Sequence, residues 1–368
     1  MLEDPEIQAA WLEYCSTYSH TSAYFKKSDQ YKNQRSEMHG KSVSRKINLY
    51  ALFLENCFNL LKSHGYCGII IPTGFYSDLG TKQLREMVFS ETRLDTLLGL
   101  SNEKFIFEGV HHSVKFCLLT FEKSGSTDTF EACFRINPRE AIRPQKLGEF
   151  LSDLSKRVHI SVDLIWKLSP DSISVMEFRN SMDVQIAMKM TKHPPLRQKF
   201  DDRWNLTLNQ EINMTSDSRL FKQTSINNLL RLYEGKMIHQ FTHLNAEPRY
   251  WLDEAEVRQA LLCKNEDSGQ TLPYEEYRIA LRAVGENTNS RNFIASVIPR
   301  KVLCGHSLLV SGGFDEDRRA LLVICAFFNS FVLDNAIKAR IARNVSMFHI
   351  YQLTVPRLQV GDRSSQKS

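Results

Sequence analysis

Between Ile47 and Lys62 the apolar positions Leu49, Leu52, Phe53, Cys57, Leu60 and Leu61 recur at helical spacing, which predicts a helix. Residues 66–71 (YCGIII) are apolar on both faces, the pattern of a central parallel strand. A loop and a short helix over 81–89 follow. Strands are then predicted at 94–100 (LDTLLGL), 113–122 (SVKFCLLTFE) and 128–136 (DTFEACFRI). Helix, strand, helix, strand and a closing hairpin form one flank of a doubly wound α/β sheet whose last strands turn antiparallel.

The texture changes on either side of this block. Residues 1–45 are polar, with a helix expected near 5–17 and then a basic, loop-like stretch, KKSDQYKNQRSEMHGKSVSRK. After about residue 150, helices are expected at 149–156 and 182–191. Residues 232–310 mix short apolar runs, aromatics and turn residues, as an irregular α/β or mainly β module does. Residues 318–342 read as one helix, and 359–368 as a disordered tail. No internal repeat is visible.

Composition narrows the class only a little. With 42% hydrophobic and 24% charged residues the chain is globular, and a net charge of +5 permits a polyanionic partner without arguing for one. The eight cysteines form no C-x-x-C pair, so a zinc cluster is not expected. They read as free, buried thiols in a reducing compartment. No signal peptide is evident, and no apolar run approaches the ~20 residues of a membrane helix. A cytoplasmic protein that spans no membrane is the expectation.

Residues 48–75, NLYALFLENCFNLLKSHGYCGIIIPTGF, resemble the segment that follows the catalytic tetrad in adenine-N6 DNA methyltransferases of the type IIG and Eco57I-like restriction-modification systems. The resemblance continues through TRLDTLLGLSNEKFIFEGVHHSVKFCLLTFEK. It resumes at LYEGKMIHQF, at YRIALRAVGENTNSRNFIASVIP and at ALLVICAFFNSFVLDNAIKARIARNVSMFHIYQLTVPRL, so that it spans most of 46–358. It implies an α/β fold: a partial doubly wound (Rossmann-like) methyltransferase sheet over 46–150, then an α+β target-recognition domain over 151–358. It also implies methyl transfer from S-adenosylmethionine to adenine in double-stranded DNA. Methylating that amine requires drawing the base out of the duplex and stacking it on aromatic rings.

By the same resemblance, Phe107 stacks on the extruded base; on residue type alone it is a core aromatic before a strand. The turn at 72–76, with Pro72, Thr73 and Phe75, lines the cleft. His111 and His112 touch phosphate or base, or are simply solvated. Two family features are missing from the sequence. One is the Asn/Asp-Pro-Pro-aromatic tetrad, since the sole Pro-Pro is Pro194-Pro195 after His193. The other is a glycine-rich cofactor turn. The strand 66–71 is therefore expected to leave an edge open for a strand this polypeptide does not encode, carried by a companion chain. A DNA-binding specificity subunit without catalysis and a degenerate fragment are the alternatives.

Later candidates rest on residue type. Lys236, Arg249, Arg278, Arg282, Arg291, Arg300 and Lys301 are interleaved with Tyr233, Phe241, Tyr250, Trp251, Tyr274 and Tyr277. This suits a DNA-facing surface, or an ordinary solvated surface over core aromatics. Lys236, Asn287, Asn289 and Arg291 are the candidate DNA contacts. His239 and His243 stand at i, i+4, but Gln240 replaces the glutamate of H-E-x-x-H and no metal is expected. PDSISVMEFR is faintly similar to a nuclease Pro-Asp…Glu site without its lysine. Lys338, Arg340 and Arg343 give the helix at 318–342 a basic end that suits phosphates or the helix dipole.

Overall fold

The computed structural model describes residues 4–38, 41–43, 47–103, 106–136, 146–224, 228–263, 265–285, 289–312, 318–341 and 344–358. The chain divides into two compact units, Met1–Met188 and Lys189–Ser368.

Unit 1 opens with α1 (Pro5–Lys27), capped by Asp4, whose side chain accepts from Glu6 N. The helix is ten residues longer than its apolar spacing suggested and buries none of its residues. Trp11, Tyr14 and Tyr18 stack along it with ring centroids 5.7 and 5.8 Å apart. A small hairpin, β1 (Ser36–Met38) and β2 (Lys41–Val43), leads to α2 (Leu49–Leu60). Then come β3 (Tyr66–Pro72), α3 (Gly74–Ser77), α4 (Lys82–Glu91), β4 (Arg93–Ser101), β5 (Lys115–Glu122) and β6 (Thr129–Ile136). The unit ends with α5 (Leu147–Ser152), β7 (Val158–Ser161), α6 (Val162–Leu168) and α7 (Ser181–Met190), which runs across the division.

The five-stranded sheet has the order β3-β5-β4-β6-β7. β5 is antiparallel to both β3 and β4, β4 and β6 are parallel, and β7 is antiparallel to β6. This is the mixed α/β flank expected from the sequence, with one correction. Residues 66–71 do not form a central parallel strand: β3 is an edge strand whose one partner among the described residues is the antiparallel β5. Its Tyr66 and Ile70 are 72% and 52% exposed, and only Ile71 is buried among its isoleucines. The apolar run that suggests a covered strand is therefore largely uncovered within this unit. The centre belongs instead to β4, buried at Leu94, Leu97, Leu98 and Leu100.

Unit 2 contains β8 (Leu208–Asn209), β9 (Leu230–Tyr233), β10 (Tyr250–Leu252), α8 (Glu254–Leu262), β11 (Arg278–Arg282), β12 (Ala295–Ile298), β13 (Val302–Cys304) and β14 (Leu308–Ser311). They are followed by α9 (Arg318–Phe328), α10 (Phe331–Lys338) and α11 (Met347–Tyr351). Two sheets form, β12-β11-β14-β8 and β10-β9-β13. One core gathers Tyr233, Ile238, Ile298, Cys304 and Val310; the other gathers Ile212, Leu232, Leu252, Val257 and Leu303.

The single helix expected over 318–342 is two. Ser330 Oγ accepts from Leu333 N and caps a new helix, while Asn329 turns back to bond Ala295 O and Cys325 O at 2.9 Å each. The axes of α9 and α10 diverge by 56°. Together the pair matches a membrane span in length and composition, yet Leu321, Ile324, Phe328, Leu333 and Ile337 are buried. No single helix among the described residues is long and apolar enough to cross a membrane.

Candidate functional site

β3 and β4 run the same way on either side of β5, so their carboxyl ends lie at one end of the sheet. Pro72 pairs with Phe116, and Ser101 with Lys115. The loops that follow, 73–81 and 102–114, leave from that end, where open α/β sheets bind their ligands.

The first loop is held from behind. Thr73 N donates to Lys115 O at 3.3 Å, and Thr73 O accepts from Tyr76 N at 3.0 Å. Gly74 is required by close approach, since a Cβ there would sit 2.6 Å from Asp78 Oδ2 and 3.1 Å from Tyr50 Oη. Arg85, wholly buried, donates to Phe75 O, to Asp78 O and Thr81 Oγ1 at 2.6 Å each, and to Ser172 O at 2.6 Å. A guanidinium that satisfies so many turn carbonyls fixes the turn's shape. Next to it, the Tyr76 hydroxyl donates to Glu177 Oε1 at 2.9 Å, and Arg135 Nε donates to Glu177 Oε2 at 3.0 Å. Burial, then the Glu177 charge, lifts the Tyr76 hydroxyl well above its ordinary pKa, so it stays a donor.

The second loop is organised by Asn102, also fully buried. Its Nδ2 donates to Phe107 O at 3.1 Å and Val110 O at 2.7 Å, its Oδ1 accepts from Phe107 N at 2.8 Å, and its own N donates to Val114 O. Phe107 is 37% exposed, with its ring edge-on to Phe116 at 5.0 Å. His111 and His112 are exposed with ring centroids 4.3 Å apart, and His111 Nδ1 meets Ser113 Oγ at 2.8 Å. Asn102→Ala removes three of these bonds. The Phe107 amide is expected to exchange with solvent about 10-fold faster or more, as native-state hydrogen exchange would measure.

The structure thus brings Pro72, Thr73, Phe107, His111 and His112 to one end of the sheet, with Phe116 beneath both Pro72 and Phe107. It does not bring Phe75 there. Phe75 is 1% exposed, turned inward by the α3 turn into the core. Sequence reasoning missed Asn102 and Arg85. Neither carries a local signal, because each bonds carbonyls that only the folded chain brings near.

Most of the basic residues of unit 2 are committed internally. Arg278 is fully buried against Glu211. Arg282 donates to Ile238 O, and Arg300 and Lys301 pair with Glu276 and with Glu254 and Glu275. Arg291 lies 3.4 Å from Asp334, donates to Asn329 O at 2.5 Å and covers the Phe331 ring, with its side chain 14% exposed. Lys236 is 55% exposed and shares Glu234 with Arg249. Asn289 is exposed; Asn287 and Arg343 lie outside the described residues. Arg340 is partly exposed, and burial lowers its pKa to about 10. His239 and His243 sit on a tight turn rather than a helix. Among the described residues no cluster of His, Cys, Asp and Glu could hold a metal ion.

One cationic cavity does form, of about 580 Å³, where β9 and β13 run parallel. Arg231, Arg300 and Lys301 line it with Tyr233, His243 and a single carboxylate, Glu254. Tyr233 Oη and His243 Nδ1 are 3.1 Å apart, and burial lowers the His243 pKa, favouring the neutral imidazole. The signal for Arg231 was readable: it is the exposed member of the alternating strand Leu230-Arg231-Leu232.

Residues 21–107 match the Eco57I restriction-modification methylase family. No curated protein matches the chain. Among solved structures, the type IIG restriction endonuclease BpuSI is 13% identical over 87% of this chain and 43% of its own, with a TM-score of 0.36. The type IIL restriction-modification enzyme MmeI, solved with DNA, is 11% identical over 85% of this chain and 41% of its own, with a TM-score of 0.45. The chain spans less than half the length of either.

Proposed function

From the premise that residues 21–107 carry the pattern of Eco57I restriction-modification methylases, we propose that unit 1 is the distal part of the catalytic fold of an adenine-N6 DNA methyltransferase and that unit 2 binds its DNA. The observation that carries this reading is the convergence of the Pro72–Thr73 turn and the Phe107 loop at the carboxyl ends of β3 and β4. In it, Phe107 offers a half-exposed ring, already braced by Phe116, to an adenine drawn from the duplex. His111 and His112, exposed in the same loop, are offered to phosphate or base. In unit 2, Arg231, Lys236 and Asn289 are the solvent-facing polar side chains assigned to DNA, with Asn287 retained from the sequence and Arg291 withdrawn because Asp334, Asn329 O and the Phe331 ring already engage it.

S-adenosylmethionine is the methyl donor this reading implies. Neither loop offers a glycine-rich cradle for it, so no residue here is assigned to hold it. Its seat, and the acceptors for the adenine amine, fall to a polypeptide segment that adds a strand along β3. Among the described residues the far edge of β3 pairs with nothing, and its Tyr66 and Ile70 stand exposed, as do Leu49, Phe53 and Leu60 of the preceding helix α2.

The test is methyl transfer to adenine in duplex DNA. The chain is assayed alone and with a companion segment bearing a glycine-rich turn and the tetrad. Activity is expected only with the companion, and Phe107→Ala is expected to lower kcat about tenfold or more. Methylation by the isolated chain, or an indifferent Phe107→Ala, would sink the assignment. The cationic cavity favours a second reading, DNA binding without catalysis. That reading predicts salt-dependent duplex binding with no methylation under either condition.

A further inference from the structure

Phe241 is the least explained large side chain of unit 2. It closes a two-residue turn, Gln240-Phe241, in which His239 N donates to Thr242 O at 2.8 Å and Thr242 N to His239 O at 3.2 Å. Its φ is +62°, the left-handed region where a turn normally places glycine or asparagine, and where a bulky side chain is strained. Its ring is nonetheless 65% exposed. The fold therefore bears both backbone strain and an uncovered aromatic at one position.

The turn is not a loose tip. Phe241 N donates to Ala295 O at 3.1 Å, and Arg282 donates twice to Ile238 O just before it. Asn245 returns the chain by donating to Met237 O and Lys236 O at 2.9 Å each. Met237 and Ile238 are buried at 1% and 0% exposure. The ring is held out from a rigid base, the arrangement in which stored strain points to function.

What surrounds the ring selects its partner. Two residues on, His243 lines the cavity that also presents the exposed Arg231, with Arg300 and Lys301 there held in ion pairs with Glu276, Glu254 and Glu275, and half-exposed Lys236, paired with Glu234, precedes the turn. A projecting apolar ring beside anion-accepting side chains matches stacked bases flanked by phosphates. We propose that Phe241 is a wedge that inserts into a base step of double-stranded DNA while the neighbouring cavity receives the adjoining phosphate. This deepens, and rests on, the reading of unit 2 as the DNA-binding unit.

The test uses the full chain and short duplexes carrying 2-aminopurine at pyrimidine–purine steps, the steps most easily unstacked. Wild-type protein is expected to bind and to raise 2-aminopurine fluorescence. Phe241→Ala is expected to weaken binding about tenfold at fixed salt, leave the salt dependence unchanged, and abolish the fluorescence rise. Phe241→Gly should lose the same binding while melting at or above the wild-type temperature, because glycine relieves the strained turn. That separates a lost wedge from a damaged fold. Wild-type binding with both variants unchanged overturns the wedge alone. A wild-type protein that binds no duplex overturns the DNA-binding reading and the wedge with it.

Discussion

Arg278→Met is expected to destabilise unit 2 by about 3–5 kcal/mol, the cost of leaving a buried charge without its partner. Arg278 sits on β11 with no exposed surface and meets Glu211, whose side chain is 8% exposed. Its other terminal nitrogen donates to Val302 O at 2.6 Å, on a strand of the other sheet, and Glu211 Oε2 accepts from Cys304 N at 3.0 Å. The pair therefore joins the two sheets of this unit. Burial raises the Glu211 pKa, and Arg278 and the Cys304 amide pull it back. Without the guanidinium only burial and one amide remain, so the carboxyl takes up a proton in the folded state more readily than in the unfolded one. A raised folded pKa gives stability at low pH that is lost as pH rises. The deficit of Arg278→Met should therefore shrink on acidification. Urea unfolding of the full chain measures both effects, and Arg278→Met/Glu211→Leu should recover most of the loss, because removing a buried pair together is often near neutral. Equal instability of the single and double variants would refute this account.

The contrast between Arg278 and Arg231 shows what was legible in advance. Both are arginines among apolar residues, on β9 and β11, and the sequence reading singled out only Arg278, as one of the basic residues interleaved with aromatics. Which of them faces solvent depends on Glu211, 67 residues away in sequence, and no local pattern encodes that meeting. Elements set by local spacing were readable: α2, β4, β5 and β6 lie within a few residues of their expected bounds. Pairing was not. Residues 66–71 are apolar enough for a sheet centre, but the neighbours of a strand come from distant chain. The break between α9 and α10 was readable in principle, since Ser330 is a preferred cap inside an apolar run. At the candidate site, Phe107 and the turn at Pro72 came from the resemblance. The burial of Phe75 and the bracing by Asn102 and Arg85 are properties of the fold alone.

Acid should weaken unit 2 well before its carboxylates titrate, and His349 is the main reason. Burial, and secondarily the Arg340 charge, lower its pKa from 6.5 to about 4. The hydrogen bonding agrees. Ser346 Oγ approaches His349 Nδ1 at 3.1 Å, and Ser346 N closes the capping box of α11 on the same nitrogen, a role that needs Nδ1 unprotonated. Between about pH 6.5 and 4 the unfolded chain binds a proton that the folded one refuses. Stability then rises with pH across that window and is lost as pH falls through it. Partial solvent access at His349 screens the penalty, and the expected loss is about 2 kcal/mol. His243, lowered by burial, adds in the same direction. Asp267, held at about 2 by the hydrogen-bonded Arg258 guanidinium, acts only at lower pH. Thermal melts at stepped pH should therefore fall between 6.5 and 4.5 for the wild type. The slope should flatten for His349→Gln, which keeps an acceptor without a charge, and flatten further when His243→Gln is added. An unchanged slope in the double variant would place the acid sensitivity elsewhere.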